Sequence, residues 1–148
     1  MSNSQIRSEI VAEHVELRGL LPRIESLAQQ FEQAPPEAHG LGGQLRDAGL
    51  ALYEKFAAHL DREQELLEPV LRTAGAEGER LARRMEHEHD EQRKLLDYLL
   101  TRLREQPTPT IVIARQLQNF THFLRFEMDH EEQTMLSPEI LGDSPDRA

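Results

Sequence analysis

The sequence predicts an all-α protein that folds as an up-down-up-down antiparallel four-helix bundle. The chain has 148 residues, a length that suits one domain with one core. Strand signals are nearly absent, because the only cluster of β-branched residues is Ile111-Val112-Ile113. Four long segments rich in Ala, Leu, Glu, Arg and Gln remain, and these residues favour helices. Two short loops and one moderate loop between them favour antiparallel neighbours.

Three breaks rich in proline, glycine or threonine separate the helices, at residues 33–43, 73–78 and 106–110. The predicted helices therefore span about 4–32, 43–72, 77–105 and 109–141. Thr108 is expected to cap the fourth helix, with Pro109 at its first position, and Pro22 is expected to kink the first helix. We expect residues 1–148 to form a single domain with a short disordered tail from about residue 142.

Apolar residues recur in each helix at the 3.6-residue period of a helix face, which predicts the core. The expected core residues are Ile10, Leu17, Leu21, Ile24 and Ala28 in the first helix, Leu45, Leu52, Phe56, Leu66 and Val70 in the second, Leu81, Met85, Leu96, Leu99 and Leu103 in the third, and Ile113, Leu117, Phe120, Leu124 and Met135 in the fourth.

The composition excludes several classes of protein. The formal net charge is −10, which argues against nucleic acid as a partner because binding it requires positive charge. The absence of cysteine excludes disulfides and thiolate metal sites and fits a reducing compartment. No apolar run is long enough to span a membrane, and the first ten residues do not resemble a signal peptide. We therefore expect a cytoplasmic protein without a membrane partner, whose oligomeric state these features do not determine.

Polar residues interrupt all four apolar stripes, and they are the most informative feature of the sequence. At about 100° per residue, each of them falls on or beside the stripe of its helix. They are His14 on the first helix, His59 and Glu63 on the second, His89 on the third, and Glu127 and Glu131 on the fourth. A buried carboxylate costs several kcal/mol unless it is protonated, paired or bound to a cation.

Imidazole and carboxylate groups directed to one interior suit iron, manganese or zinc, and three or more carboxylates favour two bridged metal ions. Each residue alone has a plainer interpretation. His14 could be a hydrogen-bonded core histidine, His59 and Glu63 a surface i,i+4 pair, and the run EMDHEE a solvated face. These interpretations would have to hold on four helices at once, so a metal site is favoured.

The remaining histidines are interpreted as surface residues. His39 lies in the proline- and glycine-rich loop, and His87 and His122 point away from the stripes of their helices. His130 lies about 80° from the centre of the fourth stripe, which allows it to contact a ligand or to be an outer ligand itself, but a surface position is favoured.

The pattern of site residues resembles the hemerythrin-like, or HHE cation-binding, domains. The resemblance rests on His14 in AEHVELRGLL, on His59 and Glu63 in FAAHLDREQELLEPVL, and on His89 in EHDEQRKLLDYL, and it extends from about Ile10 to Leu141. It implies a four-helix bundle that holds a non-haem di-iron centre with carboxylate bridges. Members of the family bind or sense oxygen, handle iron or nitric oxide, or reduce peroxide.

The fourth helix departs from the family pattern, which has a histidine followed four or five residues later by an acidic residue. Here Glu127 occupies the histidine position. The acidic partner is Glu131 by helical phase or Glu132 by the spacing to Pro138, and we choose Glu131. Met85 also stands where some members have another histidine.

The predicted ligands are therefore three histidines and three carboxylates, with Glu63 as the best candidate for a bridge and Glu127 or Glu131 as the second bridge. Anionic oxygen ligands stabilise ferric over ferrous iron. We therefore expect a centre that gives electrons to oxygen irreversibly rather than a reversible carrier. No nucleophile with a base, phosphate loop or nucleotide motif is present, so any catalysis would be redox chemistry of the metal.

Two alternatives stay open. A ferritin-like protein would use the Glu-x-x-His spacings at Glu86 and His89 and at Glu127 and His130, but those motifs belong on helices joined by a long crossover. A metal-free helical interaction module would pair its buried histidines and glutamates only with one another. Metal binding that stabilises the fold distinguishes a metal site from such a module.

Overall fold

Four long helices and one short helix make up the structure, a computed structural model that describes residues 1–34, 40–105 and 109–142. They are α1 (Asn3–Gln33), α2 (Leu41–Arg72), α3 (Gly75–Glu105), α4 (Ile111–Gln133) and α5 (Pro138–Leu141). No strand occurs within these three ranges. The predicted all-α fold with four long helices is confirmed, whereas the tail expected after residue 142 lies outside the described residues.

Side-chain caps set the first residues of α1 and α4. Ser2 forms a capping box with Gln5, in which each side chain accepts from the other residue's backbone N–H. Thr110 caps α4, because its side chain accepts from the backbone N–H of Ile113. Thr108, the expected cap, lies outside the described residues, and Pro109 precedes the helix instead of occupying its first position.

The fourth long helix ends earlier than the sequence pattern suggested. Helix α4 stops at Gln133 instead of continuing to residue 141. Pro138 has no N–H to bond to the carbonyl of Thr134, which disfavours a continuous helix here, and Ser137 instead caps the new short helix α5. The prediction of one continuous helix over 109–141 was therefore wrong.

The connection between α2 and α3 is tighter than predicted, with only residues 73 and 74 outside the helices. Helix α3 begins at Gly75, whose φ of 76° is one that glycine adopts readily. Gly78 then passes so close to α2 that a Cβ there would lie 2.2 Å from the carbonyl oxygen of Leu71. Glycine at these two positions permits the tight antiparallel turn.

The helices pack as an antiparallel bundle whose sides are unequal. Helix α1 packs along α2 and α4, and α2 packs along α3, whereas α3 and α4 touch much less. The start of α1 lies with the end of α2, as Ile10 and Leu67 share one cluster. Among the described residues, no helix is long and apolar enough to cross a membrane.

A polar layer divides the apolar core into two clusters. The larger cluster includes Leu17 of α1, Phe56 of α2, Leu96 of α3 and Leu124 of α4. The smaller cluster lies at the other end of the bundle. Its buried members are Ile6, Ile10, Leu67, Leu71, Leu81, Ala82, Met85, Met135, Leu136 and Leu141. Between the two clusters lie the buried histidines and Glu63, so the site is enclosed by apolar side chains above and below.

The predicted core is buried except at the end of α2. Leu66 and Val70 are only half-buried, and Leu67 and Leu71 fill the core instead. Beyond Glu63, the buried face of α2 therefore lies one residue further along the sequence than predicted. Ring-on-ring contacts between Tyr53, Phe56 and Phe120 anchor the larger cluster next to the polar layer.

Candidate metal centre

Polar side chains from all four long helices meet in the layer between the apolar clusters. His14 of α1 is 0% exposed, and His59 and Glu63 of α2 are 4% and 1% exposed. Ligand atoms of these three residues and of Glu131 on α4 all lie within 4.8 Å of one another. The group therefore offers two imidazole nitrogens and two carboxylate oxygens to one point.

Glu63 lies at the centre of this group. Its Oε1 lies 3.1 Å from Nε2 of His59 and 3.4 Å from Nε2 of His89, and the Glu63 carboxylate also shares a hydrogen bond with Glu131. Its other oxygen, Oε2, is buried and makes no hydrogen bond to any described residue. A buried carboxylate oxygen is costly in a folded protein unless a donor group, a protonated carboxyl or a cation binds it.

Two further carboxylates hold the outer nitrogens of the histidine rings. Oε2 of Glu132 lies 2.8 Å from Nδ1 of His14, and Oε1 of Glu13 lies 2.7 Å from Nδ1 of His59. An ionised carboxylate only accepts hydrogen bonds, so in both pairs Nδ1–H donates. Each ring is thereby oriented with Nε2 towards the centre, which is the second-layer arrangement that metal-binding histidines usually have.

Arginines contact these outer carboxylates unequally. Arg18 donates to Glu132 over 2.6 Å and to Asp129 over 2.7 Å. Arg62 hydrogen-bonds to Glu9 instead, and its Nε lies 4.0 Å from Glu13. Glu132 is therefore closely neutralised by an arginine, whereas Glu13 is not.

The two central carboxyl groups, those of Glu63 and Glu131, have pKa values shifted in opposite directions. Burial alone would raise the pKa of Glu63, but the hydrogen bond from Glu131 and the charge of His59 hold that pKa well below its usual range. Burial and the charge of Glu63 raise the pKa of Glu131 well above its usual range. In the metal-free chain Glu131 thus keeps its proton and donates it to the Glu63 carboxylate.

The two innermost histidines have pKa values shifted in opposite directions. Burial disfavours the charged form of His59, but the charges of Glu63 and Glu13 outweigh it and raise the pKa of His59 to about 9. For His14 burial dominates over the hydrogen bond to Glu132, and the pKa is lowered. At neutral pH His59 is therefore the cation of the metal-free site and His14 is neutral.

The structure brings together most of the residues that the sequence proposed as ligands. His14, His59, Glu63 and Glu131 form the group described above, and His89, 5% exposed, joins it through Glu63. Glu127 does not join: its half-buried side chain lines a cavity between α3 and α4.

Glu13 and Glu132 are the site residues that sequence reasoning missed as partners of the ring nitrogens. Glu132 had been weighed only as an alternative ligand to Glu131. Each lies directly next to a residue already proposed, Glu13 beside His14 and Glu132 beside Glu131. That adjacency was a signal, although only the packing of the helices determines which ring each carboxylate reaches.

The other histidines lie away from the centre. His87 and His122 are exposed, and the ring of His130 stacks on that of Phe126 at 6.0 Å. His39 lies outside the described residues. The predicted surface positions of His87 and His122 agree with the structure.

The Glu-x-x-His spacing that suggested a ferritin-like site does not form a common interior site. Glu86 is 56% exposed and pairs with Arg72 on the outside of the bundle. His89, the other member of that motif, points inward to Glu63. Met85, where a further histidine would stand, belongs to the smaller apolar cluster.

The residues present fit a bound metal ion. The group combines imidazole nitrogens with carboxylate oxygens, which suits iron, manganese or zinc. The unpartnered Oε2 of Glu63 supplies an acceptor that a cation would satisfy. Nδ1 partners already hold His14 and His59 in orientations suitable for ligands.

A four-helix bundle with an interior histidine and carboxylate cluster defines a class of helical metal-binding proteins. The chain matches the hemerythrin HHE cation binding domain over residues 5–137, and it belongs to that family. No curated protein and no solved structure matches it.

Proposed function

We propose that the protein is a non-haem iron protein whose centre holds two iron ions inside the bundle and reacts with or senses oxygen, peroxide or nitric oxide. Membership of the cation-binding family supports the metal, and the histidine and carboxylate group supports iron, with manganese or zinc as alternatives. Two ions are proposed because carboxylates from two helices lie against one another, as in bridged centres.

The observation that carries the proposal is the unpartnered Oε2 of Glu63. A metal-free interaction module should satisfy its buried polar groups among themselves, and the four-helix site does so at both ring nitrogens of His59 and at Nδ1 of His14. Glu63 is the exception, since no N–H or hydroxyl group of a described residue bonds to its buried Oε2. A cation at this oxygen removes that cost.

The proposed ligands are His14, His59, His89, Glu63 and Glu131. Glu63 contacts histidines of two helices and is the proposed bridge, and Glu131, hydrogen-bonded to Glu63, is the proposed second bridge. We do not assign Glu127 to the metal, because it stands outside the group. Five protein ligands for two ions leave coordination positions for a small molecule.

Bound iron supplies one-electron redox chemistry at positions open to small ligands. The chain's own residues orient and charge the site. Glu13 and Glu132 hold His59 and His14 by Nδ1, and the negative charge of Glu13, which no arginine closely neutralises, favours the higher charge of ferric iron. The apolar clusters on both sides limit access of water. We therefore expect the reduced centre to give electrons to oxygen irreversibly.

The first test is the iron content per chain after anaerobic loading with ferrous iron and removal of excess. We expect two irons in the parent chain and a clear loss in His14→Gln, with no change in the matched variant His122→Gln, because His122 is 72% exposed on the outside. A parallel thermal melt should show that the iron stabilises the fold.

Other outcomes would limit or contradict the proposal. One iron per chain would mean that these five ligands form a single site. No iron, no manganese and no zinc, with melting unaffected by any of them, would favour the metal-free module. Stable reversible oxygen binding by the ferrous protein would contradict the irreversible reaction.

A further inference from the structure

A groove runs between α3 and α4 on the side of the bundle where the helices touch least. One cavity of about 420 Å³ is lined by Glu91 and Gln92 of α3 and by Phe123 and Glu127 of α4. A second cavity of about 310 Å³ adjoins it, since both share Phe123 and Leu95 as lining residues, and this one extends to Gln116. Together they form one channel with an acidic end and an amide end.

Two amide side chains in this groove make no hydrogen bond within the described ranges. Gln92 is only 6% exposed and lines the first cavity, but neither of its amide atoms is among the fully buried, unpartnered atoms. Oε1 of Gln116, by contrast, is buried and has no partner in those ranges. Buried amides are normally hydrogen-bonded, and an unmet amide oxygen costs about 1–3 kcal/mol. Both amides line the cavities, so a ligand within them is within reach.

The acidic end of the groove holds a carboxylate without an ion pair to a described residue, although Arg84 and His130 are near enough to act on it. Glu88 pairs with Arg84 at 2.9 Å and Glu91 lies 3.9 Å from Lys94, whereas Glu127 makes no ion pair with a described residue. Burial, and then the charge of Glu88, raise the pKa of the Glu127 carboxyl. The groove thus contains a half-buried acid, and Glu88 and Glu91 are the other acids on its lining.

The wall between the two ends is apolar. Phe123 and Leu95 line both cavities, and Leu95 is 40% exposed in spite of its apolar side chain. From Gln116 to Glu127, α4 rises about 16 Å at 1.5 Å per residue. Since a hydrogen bond at each end takes up about 2.8 Å, a ligand that satisfies both ends must carry two donors about 11 Å apart on an apolar chain.

We propose that the α3–α4 groove binds a flexible aliphatic diamine. One ammonium group pairs with Glu127 near Gln92, the methylene chain lies on Phe123 and Leu95, and the second ammonium group donates to Oε1 of Gln116. The negative lining excludes a carboxylate ligand of the same length. This binding is separate from the metal centre, because none of these residues belongs to the metal-ligand group.

The test is calorimetric titration of the iron-loaded chain with 1,8-diaminooctane. We expect one site per chain, with affinity reduced at least about tenfold in Glu127→Gln and in Gln116→Leu, since a hydrogen bond to a charged group is lost in each. Glu54→Gln, which removes the same charge from an exposed position of α2, should bind as the parent does. Iron content should be unchanged in all three variants.

Two control ligands and the control variant Glu54→Gln make the result decisive. 1,3-Diaminopropane has the charge without the length and octanoate the length with the wrong charge, so both should bind at least about tenfold more weakly. Equal binding of the two diamines, or an equal loss in Glu54→Gln, would reduce the effect to general attraction by an acidic protein and overturn the proposal. So would loss of iron in Glu127→Gln, which would place that carboxylate in the metal centre.

Discussion

His14 and His59 occupy equivalent places in the bundle, and burial lowers the pKa of both, yet their net pKa shifts have opposite signs. Each ring is nearly inaccessible and has a carboxylate within 3.1 Å of both of its nitrogens. Their ring centroids are 5.0 Å apart. The pKa of His59 is nevertheless raised to about 9, whereas that of His14 is lowered.

The difference follows from the charge of the neighbours and not from their number. His59 faces Glu63, which is ionised, while His14 faces Glu131, which keeps its proton. The positive charge of His59 further disfavours a second cation on His14. Arg18 also neutralises Glu132 behind His14, whereas Glu13 behind His59 has no arginine in such close contact. Two histidine rings with similar partners can therefore differ by one full charge, since His59 is protonated at neutral pH and His14 is not.

Replacing Glu63 should produce the largest effect, because this residue charges His59 and is the proposed bridge. In Glu63→Gln we expect iron affinity to fall by more than about a hundredfold, beyond the range for residues that only orient a ligand. The measurement is iron binding under anaerobic conditions, with circular dichroism to show that the variant is folded. Glu65→Gln on the exposed face of α2 is the matched control. Equal affinity in the two variants would remove Glu63 from the centre.

The outer carboxylates should have unequal effects, and this is the sharpest test of the comparison. Glu13→Gln should lower iron affinity about tenfold to a hundredfold, since the ionised partner of Nδ1 strengthens His59 as a ligand. Glu132→Gln should lower it less, because Arg18 already neutralises that carboxylate. Binding curves for both variants check this order.

A matched control for the outer carboxylates is Glu16→Gln on α1, which removes an exposed charge paired with Lys55. It should bind iron as the parent chain does. If Glu13→Gln behaves like Glu16→Gln while the parent binds iron, the orienting role of Glu13 is contradicted although the metal site stands. An equal loss in Glu13→Gln and Glu132→Gln would contradict the role given to Arg18.

The inward-facing members of the site were accessible from sequence because they depend on helix geometry alone. His59 and Glu63 lie one turn apart within an apolar stripe, and helical phase favoured Glu131 over Glu132. The structure places Glu131 in the central group and Glu132 on the outer nitrogen of His14.

The remaining features depend on how helices are rotated against one another, which no single-helix pattern contains. The contact of Glu13 with His59 joins α1 to α2, and the exclusion of Glu127 reflects the gap between α3 and α4. The exchange of Leu66 and Val70 for Leu67 and Leu71 in the core has the same origin. The fold followed from periodicity and loop length, whereas these contacts followed from tertiary packing.

The smallest expected effect concerns the stability of the metal-free chain, where the two histidines should give slopes of opposite sign. The folded state binds more protons than the unfolded state at His59, so stability from this residue is complete below about pH 6.5 and is lost as pH rises towards 9. At His14 the unfolded state binds more protons, so stability is lost as pH falls below about 6.5. Each histidine changes the free energy of unfolding by at most about 1.4 kcal/mol per pH unit.

Chemical unfolding of the chelator-treated chain between pH 5 and 9 measures both slopes. His59→Gln should flatten the curve on its alkaline side and His14→Gln on its acidic side, while His122→Gln, an exposed control, should change neither. Because other carboxylates also titrate in acid, the quantity to compare is the difference between each variant and the parent at the same pH. If both variants flatten the same side of the curve of unfolding free energy against pH, the pKa values of His14 and His59 are shifted in the same direction. The difference assigned to their neighbouring carboxyl groups would then be contradicted.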